Sequence, residues 1–175
     1  PLTGYRIIEI AGIGPGPFAA MLLADMGAEV IRVERTQSVR GPAPDAPHFD
    51  IMLRGRRNVA LDLKHPDGVA TLLDLVEHAD ALIEGFRPGV MDRLGLGYAA
   101  FSARNPGIVY ASITGYGQHG PWSDRRAFAV VIHAEMGLLE AGGRWRADAA
   151  GESGDGEDRR AQDPMSHADV YAGLH

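Results

Sequence analysis

Residues 5–35 read YRIIEIAGIGPGPFAAMLLADMGAEVIRVER, and the order of residue types in this stretch decides the fold class. Ile7, Ile8 and Ile10 form an apolar run of strand composition that empties into a Gly/Pro-rich turn at residues 12–17. A helical pattern over residues 18–26 follows, closed by Gly27, and Val30, Ile31 and Val33 make a second strand. Strand, glycine turn, helix and strand at this spacing define a βαβ unit. Its first turn points backbone N–H groups and a helix N-terminus at whatever binds there, which suits an anion. Gly12 and Gly14 supply the start of a G-x-G-x-x-G dinucleotide fingerprint, but the third glycine position is Pro17, so that match fails.

Outward from this unit the same grammar repeats. Residues 36–49 are rich in Pro, Ser and Gly and read as an irregular surface loop. Arg54, Arg56 and Arg57 come next, ahead of an alternating strand pattern at Val59, Leu61 and Leu63 with Lys64 at its end. The basic cluster reads either as a solvated strand entrance or as a phosphate-contacting patch. Pro66 opens a helix to about Glu77, with Val69, Leu72, Leu73 and Val76 at helical spacing. A short strand at residues 81–83 runs into the turn at residues 85–89, followed by short helices at residues 90–94 and 98–104. Residues 108–113 form another strand, ending in a glycine turn at residues 115–118. Strands alternating with helices predict a parallel α/β sheet, with ligands beyond the carboxyl ends of the strands. The three glycine turns are therefore expected along one edge.

Past Pro121 a helix is expected over residues 127–139, with His133 as a polar position on a partly buried face. Residues 142–163 are polar and without period and read as a loop; residues 164–175 begin another helix with Ser166 as a possible N-cap. The chain opens on Pro1 and stops within that helical pattern, which reads as a piece of a longer protein. Its 175 residues suffice for one domain with a core. The absence of cysteine removes disulfides, thiolate nucleophiles and Cys-based metal sites. A net charge of −6 argues against a general nucleic-acid surface. No apolar run approaches the roughly 18 residues of a membrane span, and no signal-peptide pattern is present, so a cytoplasmic protein is expected.

Elementary motif chemistry goes no further. His167 and Asp169 are two residues apart and do not face each other on a helix. His48, His65, His78 and His119 fall in loops or at helix ends without ligand spacing, and there is no H-E-x-x-H, P-loop or G-x-S-x-G. An α/β ligand-binding domain is what the residues themselves establish.

The segments GIGPGPFAAMLLADMGAEVIRVER, MLRGRRNVALDLK, ADALIEGFRPGVMDRLGLGY, NPGIVYASITGYGQHGP and ADVYAGLH, taken in order, resemble the N-terminal half of the class III coenzyme A transferases. That family also holds the α-methylacyl-CoA racemases. The resemblance implies a Rossmann-like parallel sheet with flanking helices, part of an interlocked-dimer fold. It divides the chain into a coenzyme A-binding portion at residues 1–141, a polar loop at 142–163 and the start of a catalytic helix at 164–175. It implies no prosthetic group, with coenzyme A or acyl-CoA as substrate and a small carboxylic acid as partner. It implies neither nucleic acid nor membrane, and an interlocked homodimer at full length.

Asp169 falls on the family's nucleophile, a carboxylate that attacks the acyl-CoA thioester and passes through mixed-anhydride and aspartyl-CoA intermediates. Read without the family, Asp169 is a first-turn carboxylate favoured by the helix dipole. Gly14, Pro15, Arg35, Leu61, Lys64, Gly85, Phe86 and Arg93 match the family's coenzyme A contacts, with Arg54, Arg56 and Arg57 as possible assistants. Two departures stand out. Ala129 replaces a usual acidic residue, and Phe128 stands where racemases place a histidine base. The pattern favours transfer of coenzyme A over two-base racemisation, with an inactive coenzyme A-binding fragment as the third alternative.

Overall fold

The computed structural model describes residues 1–36 and 51–137. Five strands, β1 (Arg6–Ile10), β2 (Glu29–Glu34), β3 (Arg56–Ala60), β4 (Ala81–Glu84) and β5 (Val109–Ser112), form one sheet in the order β3-β2-β1-β4-β5. Every neighbouring pair is parallel; Ile8 of β1 lies opposite Ile31 of β2 and Leu82 of β4. The expected Rossmann-like sheet is present, and its strand order reverses between β1 and β4. In such sheets that reversal opens the crevice where ligands bind.

The helices are α1 (Pro15–Asp25), α2 (Pro66–Glu77), α3 (Val90–Arg93), α4 (Tyr98–Arg104) and α5 (Ala129–Glu135). Helix α1 begins three residues before the predicted start at residue 18, because prolines are tolerated in a first turn, where backbone N–H groups have no intrahelical acceptor. Gly14 precedes it at φ 85°, a conformation that favours glycine. Gly27 closes it at φ 101°, where the Gly27 and Ala28 N–H groups bond the Ala24 and Leu23 carbonyls at 2.9 and 3.1 Å. This Schellman closure delivers the chain straight into β2. Helices α2 and α4 match their predicted spans.

Two predicted boundaries shift. The strand expected at residues 59–63 lies at Arg56–Ala60, since its ladder with β2 ends at the Glu34–Ala60 pair and the Leu61 N–H. Leu61 and Leu63 still pack on the core, which is why their apolar alternation mimics a strand. Helix α5 is shorter than the predicted residues 127–139: it ends at Glu135, with Gly137 beyond it at φ 74°. His133 within it is buried, on the face the sequence pattern assigns to partial burial. The expected loop at 142–163 and the helix start carrying Asp169 lie outside the described residues.

Alternation along β1 divides the core between two faces. Ile8 and Ile10 pack with Leu72 and Val76 of α2, Met91 of α3 and Phe101 of α4. Ile7 faces the other way, with Val30, Ile83 and Ala20 of α1. Glu9 shares that second face and is fully buried. It pairs with Arg32 at 3.1 Å and with the buried Arg56, which also donates to the Pro17 carbonyl of α1 at 3.3 Å. Burial pushes the Glu9 carboxyl above its ordinary range against the opposing pull of Arg32 and Arg56. Among the described residues, no helix is long and apolar enough to cross a membrane.

Leu72 is fully buried at the centre of the larger core. Leu72→Ala is expected to lower unfolding free energy by about 2–5 kcal/mol, read from urea denaturation. A loss below about 1 kcal/mol would contradict this placement of the core.

Candidate functional site at the carboxyl edge of the sheet

Parallel pairing sends the chain out of every strand at the same edge. The segments after β1, β2, β3 and β4 therefore bring Gly14 and Pro15, Arg35, Leu61 and Lys64, and Gly85 and Phe86 to one side of the molecule. Gly14 and Pro15 open α1 on one side of the strand-order reversal, and Gly85 and Phe86 follow β4 on the other. The three glycine turns share this edge, as the sequence pattern requires.

Lys64 and Arg93 meet in one feature. An open groove of about 550 Å³ runs between α2 and the α3–α4 connection, with an apolar lining that includes Leu63, Val69, Leu73 and Leu94. Lys64, Arg93 and Arg104 supply its cations. Arg104 is engaged by Asp74 at 3.4 Å and Glu77 at 3.6 Å. Among the described residues, no carboxylate lies within ion-pair distance of Arg35, Lys64, Arg87 or Arg93. An apolar groove bordered by unpaired cations suits a flat ring bearing phosphates.

The arginines at the start of β3 behave differently. Arg54 makes two bonds to the Asp25 carboxylate, and Arg57 pairs with Glu29 at 2.9 Å. Arg56 is buried against Glu9. All three stand at the amino end of β3, away from the carboxyl edge, and their cationic groups are neutralised by carboxylates. Of the two readings of this cluster, these pairings favour the structural one over the phosphate patch: the arginines tie β3 to α1, β1 and β2.

A second network escaped the sequence reading. Glu84, the last residue of β4, is buried and accepts bonds from the Phe86 N–H at 2.6 Å, the Tyr110 hydroxyl at 3.1 Å and the Ser112 hydroxyl. Ser112 in turn accepts from the Gln118 side-chain amide. Burial first, and then the neighbouring Glu84, holds the Tyr110 phenol well above its usual range, so it stays a donor. One carboxylate thus ties the turn after β4 to β5 and to the turn after β5. The only signal in the sequence is a glutamate ending an otherwise apolar strand directly before a Gly/Pro turn.

The segment after β5 is fixed to α5. The Tyr116 hydroxyl donates to Glu135 at 2.7 Å, and Arg125 pairs with Glu135 at 3.0 Å while lying over the Trp122 ring at 4.9 Å. Hydrogen bonding to Glu135 raises the Tyr116 phenol above its ordinary range. Phe128, at the N-cap of α5, is exposed and has no group able to take a proton. Asp169 lies outside the described residues.

Fold and groove together define a Rossmann-type α/β domain with an apolar groove along α2 bordered by Lys64, Arg93 and Arg104. Sequence comparison narrows the class: residues 2–175 match the model of CoA-transferase family III, and the chain belongs to that family. It is 38% identical over 154 residues to the succinyl-CoA–L-malate CoA-transferase beta subunit of Chloroflexus aurantiacus, covering 82% of this chain and 37% of the relative. It is 41% identical over 143 residues to the alpha-methylacyl-CoA racemase of Mus musculus, covering 82% and 35%. A crystal structure of a CAIB/BAIF family protein from Brucella suis superposes with a TM-score of 0.82 at 30% identity, over 99% of this chain and 46% of that one. The chain spans less than half the length of each.

Tyr110→Phe keeps the ring contact with Phe101, whose centroid lies 5.6 Å away, and removes one donor to Glu84. The expected loss is about 1 kcal/mol of unfolding free energy, measured by denaturant titration. An unchanged midpoint and slope would show that the Glu84 network contributes nothing through this hydroxyl.

Proposed function

We propose that the chain is the coenzyme A-binding part of an enzyme that moves coenzyme A between an acyl-CoA and a small carboxylic acid, with Asp169 as the nucleophile. One observation carries the coenzyme assignment: Lys64 and Arg93, without carboxylate partners among the described residues, line an apolar groove that runs along α2. The groove walls cover the adenine, and the two cations take its 3′-phosphate and pyrophosphate. Arg35, exposed after β2, serves a phosphate from the neighbouring turn. Gly14, Pro15, Leu61, Gly85 and Phe86 supply backbone and apolar contacts along the same edge. The small-acid partner is supported by relatives named for succinyl-CoA and L-malate, and for succinate and glutarate.

In the proposed reaction the Asp169 carboxylate attacks the thioester carbonyl and expels coenzyme A as thiolate, leaving a mixed anhydride. The thiolate attacks the aspartyl carbonyl and releases the donor acid as carboxylate. The acceptor carboxylate then attacks the aspartyl thioester, and the thiolate expelled takes the acceptor acyl group, regenerating Asp169. Three protein roles follow: hold the nucleotide, aim the thioester and keep a carboxylate against it. An interlocked homodimer in the cytoplasm belongs to the same reading.

The racemase reading is favoured by the 41% identity to the mouse racemase and opposed by Phe128 and Ala129. It shares the coenzyme site and differs in the chemistry. Release of the substrate α-proton into deuterated solvent without an acceptor acid distinguishes it from transfer.

Lys64→Ala and Arg93→Ala are each expected to weaken coenzyme A binding by about tenfold or more in calorimetric titration, the size of a lost charge-assisted hydrogen bond. Arg57→Ala, at the opposite edge, is expected to leave it unchanged. Unaltered affinity in both groove variants would remove the coenzyme assignment. For the chemistry, incubation with acyl-CoA should leave a covalent adduct on Asp169 in mass spectrometry. Asp169→Asn should form none, and turnover persisting in that variant would eliminate the nucleophile.

A further inference from the structure

Hydrogen bonding at the carboxyl edge has a direction as well as a location. A carboxylate only accepts, so the Ser112 hydroxyl must spend its single proton on Glu84. That leaves the Ser112 oxygen as an acceptor, and the Gln118 contact is made through its Nε2–H. An amide whose nitrogen is held inward by such a bond cannot turn over without losing it. Gln118 Oε1 is therefore left as an acceptor, and among the described residues no donor is bonded to it. The side chain is exposed and follows β5, three hydrogen bonds away from the Phe86 N–H through Ser112 and Glu84.

The turn that carries Gln118 is fixed on its near side. A Cβ on Gly115 would come within 1.8 Å of the Ala127 Cβ and 3.3 Å of the Ala127 Cα, so only glycine allows this close approach. Tyr116 is anchored to Glu135. Gly117 has φ 83° and reverses the chain just before Gln118. The phenol of Tyr110, held neutral by burial, gives Glu84 a further donor. These restraints fix an exposed acceptor beside the Gly85–Phe86 turn.

We propose that Gln118 is a substrate-binding residue for the pantetheine arm, its Oε1 accepting a hydrogen bond from a secondary-amide N–H, with Glu84 and Ser112 as positioning residues that set its orientation. This inference rests on the coenzyme A assignment above. In that assignment the nucleotide lies in the groove by Lys64 and Arg93, and the arm leaves it along the carboxyl edge past Phe86. The secondary amides are the only N–H donors the arm carries, and an outward carboxamide oxygen is the complementary group. Were Gln118 reversed, its NH₂ would meet that N–H donor to donor. The orientation set by Glu84 is thus what makes the contact attractive.

Two ligands separate the arm from the nucleotide: coenzyme A, and adenosine 3′,5′-bisphosphate, which lacks the arm. In calorimetric titration Gln118→Ala is expected to weaken coenzyme A about five- to tenfold, the equivalent of one hydrogen bond, and to leave the bisphosphate unchanged. Ser112→Ala should produce the same selective loss, and Ser112→Thr, which keeps the hydroxyl, should restore wild-type affinity. Full coenzyme A affinity in Gln118→Ala overturns the proposal. So does an equal loss for both ligands, because the effect then does not belong to the arm. If the wild-type chain binds neither ligand, the coenzyme assignment itself falls, an outcome separate from selective failure at Gln118.

Discussion

Parallel hydrogen bonding of β1 to β2 on one side and to β4 on the other places every other element of the fold. A strand paired on both edges and covered on both faces has no exposed backbone, so its residues are read by two cores at once. Ile7 answers to α1, and Ile8 to α2 and α4. Because the neighbours run parallel, each connection must cross the sheet, and each crossing begins at the same edge. The site is a product of that constraint. Residues as distant in sequence as Gly14, Lys64, Phe86 and Gln118 share a surface because parallel pairing gives them no other exit.

Charge is distributed over the two edges in opposite ways. At the amino ends, Arg6 and Arg57 share Glu29, and Arg54 holds Asp25, so positive charge is consumed by structure. At the carboxyl ends, Arg35, Lys64, Arg87 and Arg93 have no carboxylate among the described residues. Exposed ion pairs contribute little to stability, and unpaired cations contribute less. Their grouping at one edge adds little to the folding energy and is what the proposed anionic-ligand site rests on. The negative total charge of the chain conceals this local polarity.

How much of this was legible in the sequence depended on the range of the determining interaction. Helices α2 and α4 were readable to the residue because Pro66 and a regular apolar period are local signals. The strand β3 was displaced because Leu61 and Leu63 continue an apolar alternation after the ladder has ended. Arg54, Arg56 and Arg57 form an obvious cluster, but clustering carries no record of partners, and those partners come from α1, β1 and β2. Glu84 was invisible as an organising residue for the same reason. Its main partners Tyr110 and Ser112 lie 26 and 28 residues away and reach it only once β4 and β5 pair. The residues proposed for the coenzyme site were matched through the family pattern, and the topology explains why segments so scattered in sequence leave the sheet at one edge.

Glu9 carries a consequence for how the sheet finds its alignment. It lies in the middle of an apolar strand, buried, bound to Arg32 and Arg56 on the α1 face. A slip of β1 by one residue would turn that carboxylate into the aliphatic and aromatic packing around Leu72 and Phe101, with no cation to meet it. The same slip would leave Arg56 enclosed beneath α1 without its counter-ion. Apolar residues alone tolerate such an exchange, since Ile7, Ile8 and Ile10 are interchangeable in kind. The buried charge is not, and it acts as a key that fits one alignment of the strand and excludes its neighbours.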